Sequence, residues 1–221
     1  MSIWRPAEAH FALLQVSVIG ALASLPISFP PKTVATQYRV IVKLIEGLPS
    51  PVVDLFRPLV PMVEEREYGF ALACGAALLE RAERRALYIA AVKKHKCNAE
   101  LAHGFIDRRH MTRATVEGYM KAVVGRALPR TVRDQRKVFE AARDKYLHGR
   151  NLTDADARSG LAEMVRYAGG LDAHVQKMLN KSPFGSLTGF TGRIKLHDKN
   201  TSRWMLKGMF GEIEELNSDE A

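Results

Sequence analysis

Apolar and small residues recur at helical spacing along most of the chain. The clearest case runs from about Glu65 to Lys96, where one face of a helix with about 3.6 residues per turn carries mainly leucine and alanine. Because many of these residues are small, a second helix can approach this face closely. The pattern predicts a long helix with a buried stripe formed by Leu72, Ala76, Leu79, Ala86 and Ala90.

Prolines, glycines and capping residues divide the remaining chain into further helices. Asn98, Thr112 and Thr153 are predicted N-caps, because their side chains can accept a hydrogen bond from the first helical turn. Gly149 is predicted to end the helix that starts near Arg130. The predicted helices cover about residues 6–25, 33–46, 51 to the prolines at 58 and 61, 65–96, 98–109, 112–126, 130–148 and 153–180.

This order of elements predicts an all-α protein in three parts. Residues 1–64 form an N-terminal helical extension, residues 65–180 form a helical bundle, and residues 181–221 form a C-terminal tail. Glycines and a proline lie among the aromatic residues of the tail, so it is expected to be irregular or to contain a small hairpin. Basic and aromatic residues alternate there, and the tail is expected either to contact RNA or to cap the bundle.

Composition supports a folded domain and locates its charge. Of the 221 residues 47% are hydrophobic, and the formal net charge is +9. Between residues 108 and 150 there are twelve Lys or Arg residues and only four Asp or Glu residues. Such a concentration is typical of a surface that binds phosphate groups, although an ordinary solvated helix face also accounts for it.

Several other classes of protein are not favoured. The two cysteines have no disulfide-rich spacing, and the apolar run over residues 11–25 is too short to cross a bilayer. The chain is therefore expected in the cytoplasm, without a membrane partner. It has no phosphate-binding glycine loop, no Gly-x-Ser-x-Gly, no His-Glu-x-x-His and no Cys-x-x-Cys motif, so neither a cofactor nor a metal is predicted.

The segment Arg143-Asp144-Lys145-Tyr146-Leu147-His148-Gly149-Arg150 is the main candidate for chemistry. Arginine can clamp a phosphate through its fork, and histidine can transfer protons near neutral pH. Five helical positions place these two side chains about 140° apart around the axis, however. Either the helix end unwinds at Gly149, or each residue meets a partner from a second chain. Without such a partner, Arg143 is a surface arginine and His148 a favourable cation at a helix C-terminus.

In its helix order and its Arg-x-x-x-x-His-Gly helix end, the chain resembles the HEPN superfamily over about residues 65–180. The resemblance implies a four-to-five-helix bundle that forms a homodimer, with a composite ribonuclease site at the two-fold interface. It assigns Arg143 and His148 as the catalytic pair. The residue after the arginine is commonly polar and most often asparagine in the superfamily, whereas here it is Asp144, which could orient the pair but adds negative charge.

The leading hypothesis is a metal-independent endoribonuclease, acting as a toxin or defence effector with an antitoxin or regulatory protein as partner. His148 is the expected acid and base, Arg143 the phosphate ligand and Asp144 the orienting group. The alternatives are a non-catalytic HEPN-like dimer that binds nucleic acid or protein, and a helical protein unrelated to the superfamily. Further RNA contacts are expected from Arg136, Lys137, Lys145 and Arg150.

Overall fold

The computed structural model describes residues 32–192 and 194–211, and within these ranges it is helical with no strand. The all-α prediction is confirmed. The predicted helix over residues 6–25 lies outside the described residues. The helices are α1 (Lys32–Glu46), α2 (Ser50–Phe56), α3 (Leu59–Glu64), α4 (Tyr68–Ile89), α5 (Ala99–Asp107), α6 (Arg113–Tyr119), α7 (Arg130–Leu147), α8 (Asp154–Leu179) and α9 (Lys199–Phe210).

Two helices end in wider π-helical turns. Residues Ala90–Lys94 continue α4, and residues Met120–Val124 continue α6. The long helix predicted over residues 65–96 therefore exists, but its last turn is π rather than α. The predicted stripe on α4 is buried along its whole length.

The predicted N-caps are confirmed. Asn98 Oδ1 accepts a hydrogen bond from the Leu101 amide at 3.2 Å, and Thr112 Oγ1 accepts one from the Thr115 amide at 3.2 Å. Thr153 Oγ1 accepts one from the Asp156 amide at 3.1 Å. Each bond satisfies an amide that the helix itself leaves without a partner. Local capping chemistry thus fixes where α5, α6 and α8 begin.

Three long helices, α4, α7 and α8, form the centre of the fold. Near the start of α4, Gly69 packs against the Tyr146 ring at the end of α7. At the other end, Lys93 Nζ donates to the Leu179 carbonyl oxygen at 2.7 Å. Helices α4 and α8 are therefore parallel, and α7 runs antiparallel to both. Small residues allow the close packing: a Cβ atom added to Gly160 would lie 2.6 Å from Ala142 Cβ.

Helices α1 to α3 bury their apolar residues in the same core. Ile45, Val52, Phe56 and Val63 are almost completely buried, and the Phe56 ring lies 6.5 Å from that of Phe184. The described part of the predicted N-terminal extension thus supports the bundle directly. Among the described helices, none has the length and hydropathy required to cross a membrane.

The predicted irregular tail is wrong for Lys199–Phe210, which forms α9, and no hairpin is found in the described part of the tail. Asp198 Oδ1 accepts hydrogen bonds from the Asn200 and Thr201 amides, so it caps this helix. Phe210 packs on Tyr119 with the ring centroids 4.7 Å apart. A C-terminal helix docked on α5 and α6 therefore takes the place of the expected loop.

Candidate functional site

The C-terminal end of α7 carries the two predicted catalytic residues. The His148 amide still donates to the Asp144 carbonyl oxygen at 3.1 Å, so the helical pattern extends to His148. Gly149 then turns the chain with φ at +63°, a left-handed conformation that glycine adopts without strain. Unwinding therefore does not bring Arg143 and His148 together within one chain, and they remain about 140° apart around the axis.

Arg143 is held in place by its neighbour. The Arg143 side chain is 33% exposed, and its Nε and Nη2 atoms both donate to Asp144 Oδ1, at 3.0 and 2.7 Å. Among the described residues, Nη1 has no hydrogen-bond partner. Asp144 thus engages one edge of the guanidinium group, and no described residue occupies Nη1.

A cleft of about 650 Å³ runs along α7 and includes Arg143 and Asp144 in its lining. Its other walls come from α4 and from the segment that joins α5 to α6. His148 does not line the cleft, but on the helix it continues the row of Lys137, Ala141 and Asp144, one turn beyond Asp144. The polar side chains of the lining are Glu80, Glu83, His110, Thr112, Arg113, Arg136, Lys137, Glu140, Arg143 and Asp144.

Arg136 does not lie at the surface, where the predicted RNA contact would require it. Its side chain is only 5% exposed, and Nη2 lies 3.2 Å from Glu83 Oε2 while Nε lies 2.8 Å from Glu140 Oε1. The Tyr167 hydroxyl donates to Glu83 Oε1 at 2.6 Å. Arg136 therefore joins α7 to α4 through a buried ion pair, and its prediction as a steering residue for RNA is corrected.

Burial controls the protonation of this network. It raises the pKa of Glu83, although the positive charge of Arg136 and the Tyr167 hydrogen bond act in the opposite direction. Burial also raises the pKa of Tyr167 well above its ordinary value, and the neighbouring Glu83 adds to this increase. The tyrosine therefore stays neutral and acts as a hydrogen-bond donor.

The other predicted RNA contacts are exposed, but most are already paired. Lys137 Nζ lies 2.9 Å from Asp134 and Lys145 Nζ lies 3.3 Å from Asp156, whereas Arg150 has no side-chain partner among the described residues. Seven of the twelve cations between residues 108 and 150 lie within ion-pair distance of a carboxylate of the described residues. The sequence count thus overstates the positive charge that this segment offers to RNA.

Little in the sequence indicates that two residues of the cleft wall, His110 and Arg113, belong to a site. His110 is exposed, and Arg113 is 46% exposed with Nη1 3.6 Å from Glu140 Oε2. His110 lies in the basic segment, which is the only sequence signal that points to it. The fold brings both residues to the cleft wall opposite α7, where Arg113 faces Glu140 of that helix.

Two large apolar side chains lie exposed at the end of α7. Leu147 is 58% exposed and Tyr146 is 40% exposed, directly before His148. Exposed apolar residues at a helix end are typical of a surface that another chain covers, although single ones are also common on monomers.

Within residues 32–192 and 194–211, no group of three or more His, Cys, Asp or Glu side chains is arranged to hold a metal ion. Comparisons of the chain with protein-family models, with curated proteins and with solved structures found no match.

Proposed function

We propose that this chain is a metal-independent endoribonuclease of HEPN type, which acts in the cytoplasm as a homodimer. The observation that carries the proposal is the end of α7. There Asp144 holds Arg143 in the cleft wall, with Nη1 unoccupied by any described residue, and the exposed His148 follows Asp144 by one helical turn, outside the cleft lining.

The chemistry uses the 2′-hydroxyl of RNA as nucleophile. His148 accepts its proton while the 2′-oxygen forms a bond to the adjacent phosphorus. The bond from phosphorus to the 5′-oxygen breaks, and His148 of the partner subunit protonates the leaving oxygen. Arg143 stabilises the negative charge that develops on the non-bridging phosphate oxygens. The products are a 2′,3′-cyclic phosphate and a 5′-hydroxyl.

In the proposed dimer, a second chain supplies the catalytic partner that Arg143 and His148 do not provide for each other within one chain. Since Arg143 and His148 point in different directions from α7, one phosphate cannot touch both in a single chain unless they rearrange. Two copies that pack through Leu147 and Tyr146 place the ends of both α7 helices next to each other. The Arg143 of one chain then faces the His148 of the other across the interface.

The test is cleavage of a labelled mixed-sequence RNA in EDTA. The wild type should cleave it and leave 2′,3′-cyclic phosphate ends, whereas Arg143→Ala and His148→Ala should be inactive but folded. His197→Ala is the matched control, because His197 is also exposed but lies outside the site. Cleavage that persists in His148→Ala, or that requires a metal ion, would refute the mechanism.

The interface has its own test. Leu147→Glu places a charge on the most exposed apolar side chain of α7, and it should convert the dimer to a monomer and abolish cleavage together. Val40→Glu is the control, because Val40 is similarly exposed, at 56%, on α1. Sedimentation equilibrium measures the association. A monomeric Leu147→Glu variant with full activity would exclude a composite site.

A second candidate is a non-catalytic dimer that binds nucleic acid or an antitoxin-like protein. It is favoured by Asp144, whose carboxylate occupies one edge of Arg143 and adds negative charge where RNA phosphate would lie. In this case a folded dimer binds RNA or protein, but neither wild type nor His148→Ala cleaves RNA. Measuring binding and cleavage on the same samples separates the two functions.

A further inference from the structure

A group of cations without a carboxylate partner among the described residues lies at the opposite end of the bundle from Arg143. Lys93 Nζ donates to the carbonyl oxygens of Leu179 and Asn180, at 2.7 and 3.2 Å, and Lys94 Nζ donates to that of Val124 at 2.8 Å. These contacts bring together the C-terminal ends of α4, α6 and α8. We call this surface the basic pole, formed by Lys93, Lys94, Lys96, Arg126, Lys177 and Lys181.

Arg126 and Lys177 belong to the same surface. His174 Nε2 donates to the Arg126 carbonyl oxygen at 3.1 Å, and Lys177 follows His174 by three residues on α8. Burial lowers the pKa of His174, and the positive charges of Arg126 and Lys177 act in the same direction. The surroundings of His174 are therefore electropositive.

No carboxylate of the described residues neutralises the charges of the basic pole. Lys93, Lys94 and Lys96 donate only to main-chain carbonyl oxygens, which carry no formal charge. Among the described residues, no Asp or Glu lies within ion-pair distance of any of the six cations. The nearby Asp172 is 1% exposed and accepts a hydrogen bond from Ser182, so it lies beneath the surface. This distinguishes the pole from the cations of α7, most of which are paired.

The pole is far from the candidate site. Helix α4 is 22 residues long; Gly69, which touches Tyr146, is its second residue, and the turn that carries Lys93 follows its last. At about 1.5 Å per residue this corresponds to about 33 Å. The two surfaces therefore contact different parts of any extended ligand.

We propose that the basic pole binds the phosphate backbone of RNA as a second contact surface. The inference rests on the proposed function only in taking RNA as the polyanion, and it does not require cleavage. When these six cations, which have no carboxylate partner among the described residues, neutralise phosphates, counterions condensed on the RNA are released, and this favours binding without base recognition. Because lysine ammonium groups act as point charges, the surface is expected to hold RNA without selecting its sequence.

A purely structural role is the competing explanation, since basic side chains stabilise helix C-termini. It applies most directly to Lys93 and Lys94, which donate to helix-end carbonyls, and the charge of Lys177 in the last turn of α8 also favours that helix end. Neither Arg126 nor Lys177 caps a helix through a hydrogen bond to a described residue. Their replacement therefore tests the charge without removing a cap.

The experiment measures RNA binding by fluorescence anisotropy across a range of KCl concentrations, with His148→Ala present in every protein to prevent cleavage. The test variant adds Arg126→Gln and Lys177→Gln. The control adds Arg57→Gln and Arg166→Gln instead. These substitutions also remove two positive charges, but from arginines that are paired with Asp54 and Glu163. Loss of two phosphate contacts should reduce the salt slope by about 1.4 and the affinity roughly 25-fold at about 0.1 M salt.

Equal affinities and slopes for the test and control variants would overturn the inference, as would the absence of RNA binding by the parent protein. The outcome is independent of the catalytic proposal. If the wild type binds RNA without cutting it and the test variant binds weakly, the pole is established and the nuclease mechanism is refuted. If the wild type cleaves RNA but the test variant binds normally, only the pole is refuted.

Discussion

Replacement of Arg136 by methionine tests the buried ion pair between α4 and α7. Glu83 is 2% exposed and would keep only the Tyr167 hydroxyl as a hydrogen-bond donor. Removing one partner of a buried pair costs about 3–5 kcal/mol, because the other charge stays buried and uncompensated. For a domain of this size the midpoint of thermal unfolding should fall by roughly 6–20 °C.

The pH dependence of this loss identifies its cause. The folded-state pKa of Glu83 is raised above its value of 4.5, and Arg136 is the main group that opposes the increase. A carboxyl with a raised folded pKa stabilises the protein below its unfolded pKa, and this contribution is lost as the pH rises through the folded pKa. Without Arg136 the pKa of Glu83 rises further. As the pH rises, the free energy of unfolding of the variant should therefore fall relative to that of the wild type, by up to about 1.4 kcal/mol per pH unit.

Urea denaturation at about pH 5 and about pH 8 measures both effects. Arg136→Met/Glu83→Gln leaves a neutral amide beside Tyr167, and it should recover most of the lost free energy and remove the extra pH dependence. Arg166→Met, which breaks the exposed pair with Glu163, should cost less than about 1 kcal/mol. If Arg136→Met is equally destabilised at both pH values and Glu83→Gln restores none of the lost free energy of unfolding, that loss reflects packing rather than an unpaired charge.

Three further predictions follow from particular contacts. Gly160→Val should lower the free energy of unfolding, measured by urea denaturation, by about 1–3 kcal/mol, because the new side chain overlaps Ala142. Gly104→Val, with open space around it, should lower it by less, and the reverse order would contradict this packing. Burial raises the pKa of Cys97 to about 11, so its thiol should react with a disulfide reagent at neutral pH only after the protein unfolds. Rapid reaction in the folded state would contradict this burial. Asp144→Asn keeps a hydrogen-bond acceptor for Arg143 but removes a negative charge, so the affinity for RNA, measured by fluorescence anisotropy, should increase roughly two- to fivefold. A decrease in affinity would indicate that the carboxylate is required.

The sequence predicted features that depend on neighbouring residues. The caps Asn98, Thr112 and Thr153 were correct because each bond joins residues only three positions apart. The contact between Asp144 and Arg143 is equally local. Helical periodicity likewise identified the buried stripe of α4, since burial on one face follows directly from the spacing of its apolar residues.

Features that depend on distant residues were missed. Arg136 is predicted from the sequence as an RNA contact, which requires a surface position, but its buried partner Glu83 is 53 residues earlier in the chain. Helix α9 was expected to be irregular because glycines and aromatic residues surround it. Its 12 residues are stabilised by docking, with Ser202 Oγ accepting from the Asn98 amide at 2.7 Å. Neither tertiary partner can be identified from local sequence.

If RNA binds both at Arg143 and at the basic pole, as proposed above, the antiparallel placement of α7 against α4 and α8 sets the length of RNA that is required. It puts Arg143 and the basic pole at opposite ends of a bundle about 33 Å long. At about 3.4 Å per stacked nucleotide, an RNA strand needs roughly ten nucleotides to reach both ends. On these two proposals, shorter oligonucleotides would occupy one end at a time, whereas longer ones would gain the second contact without a second encounter. The length of the bundle would then define the smallest RNA footprint for which binding is bivalent.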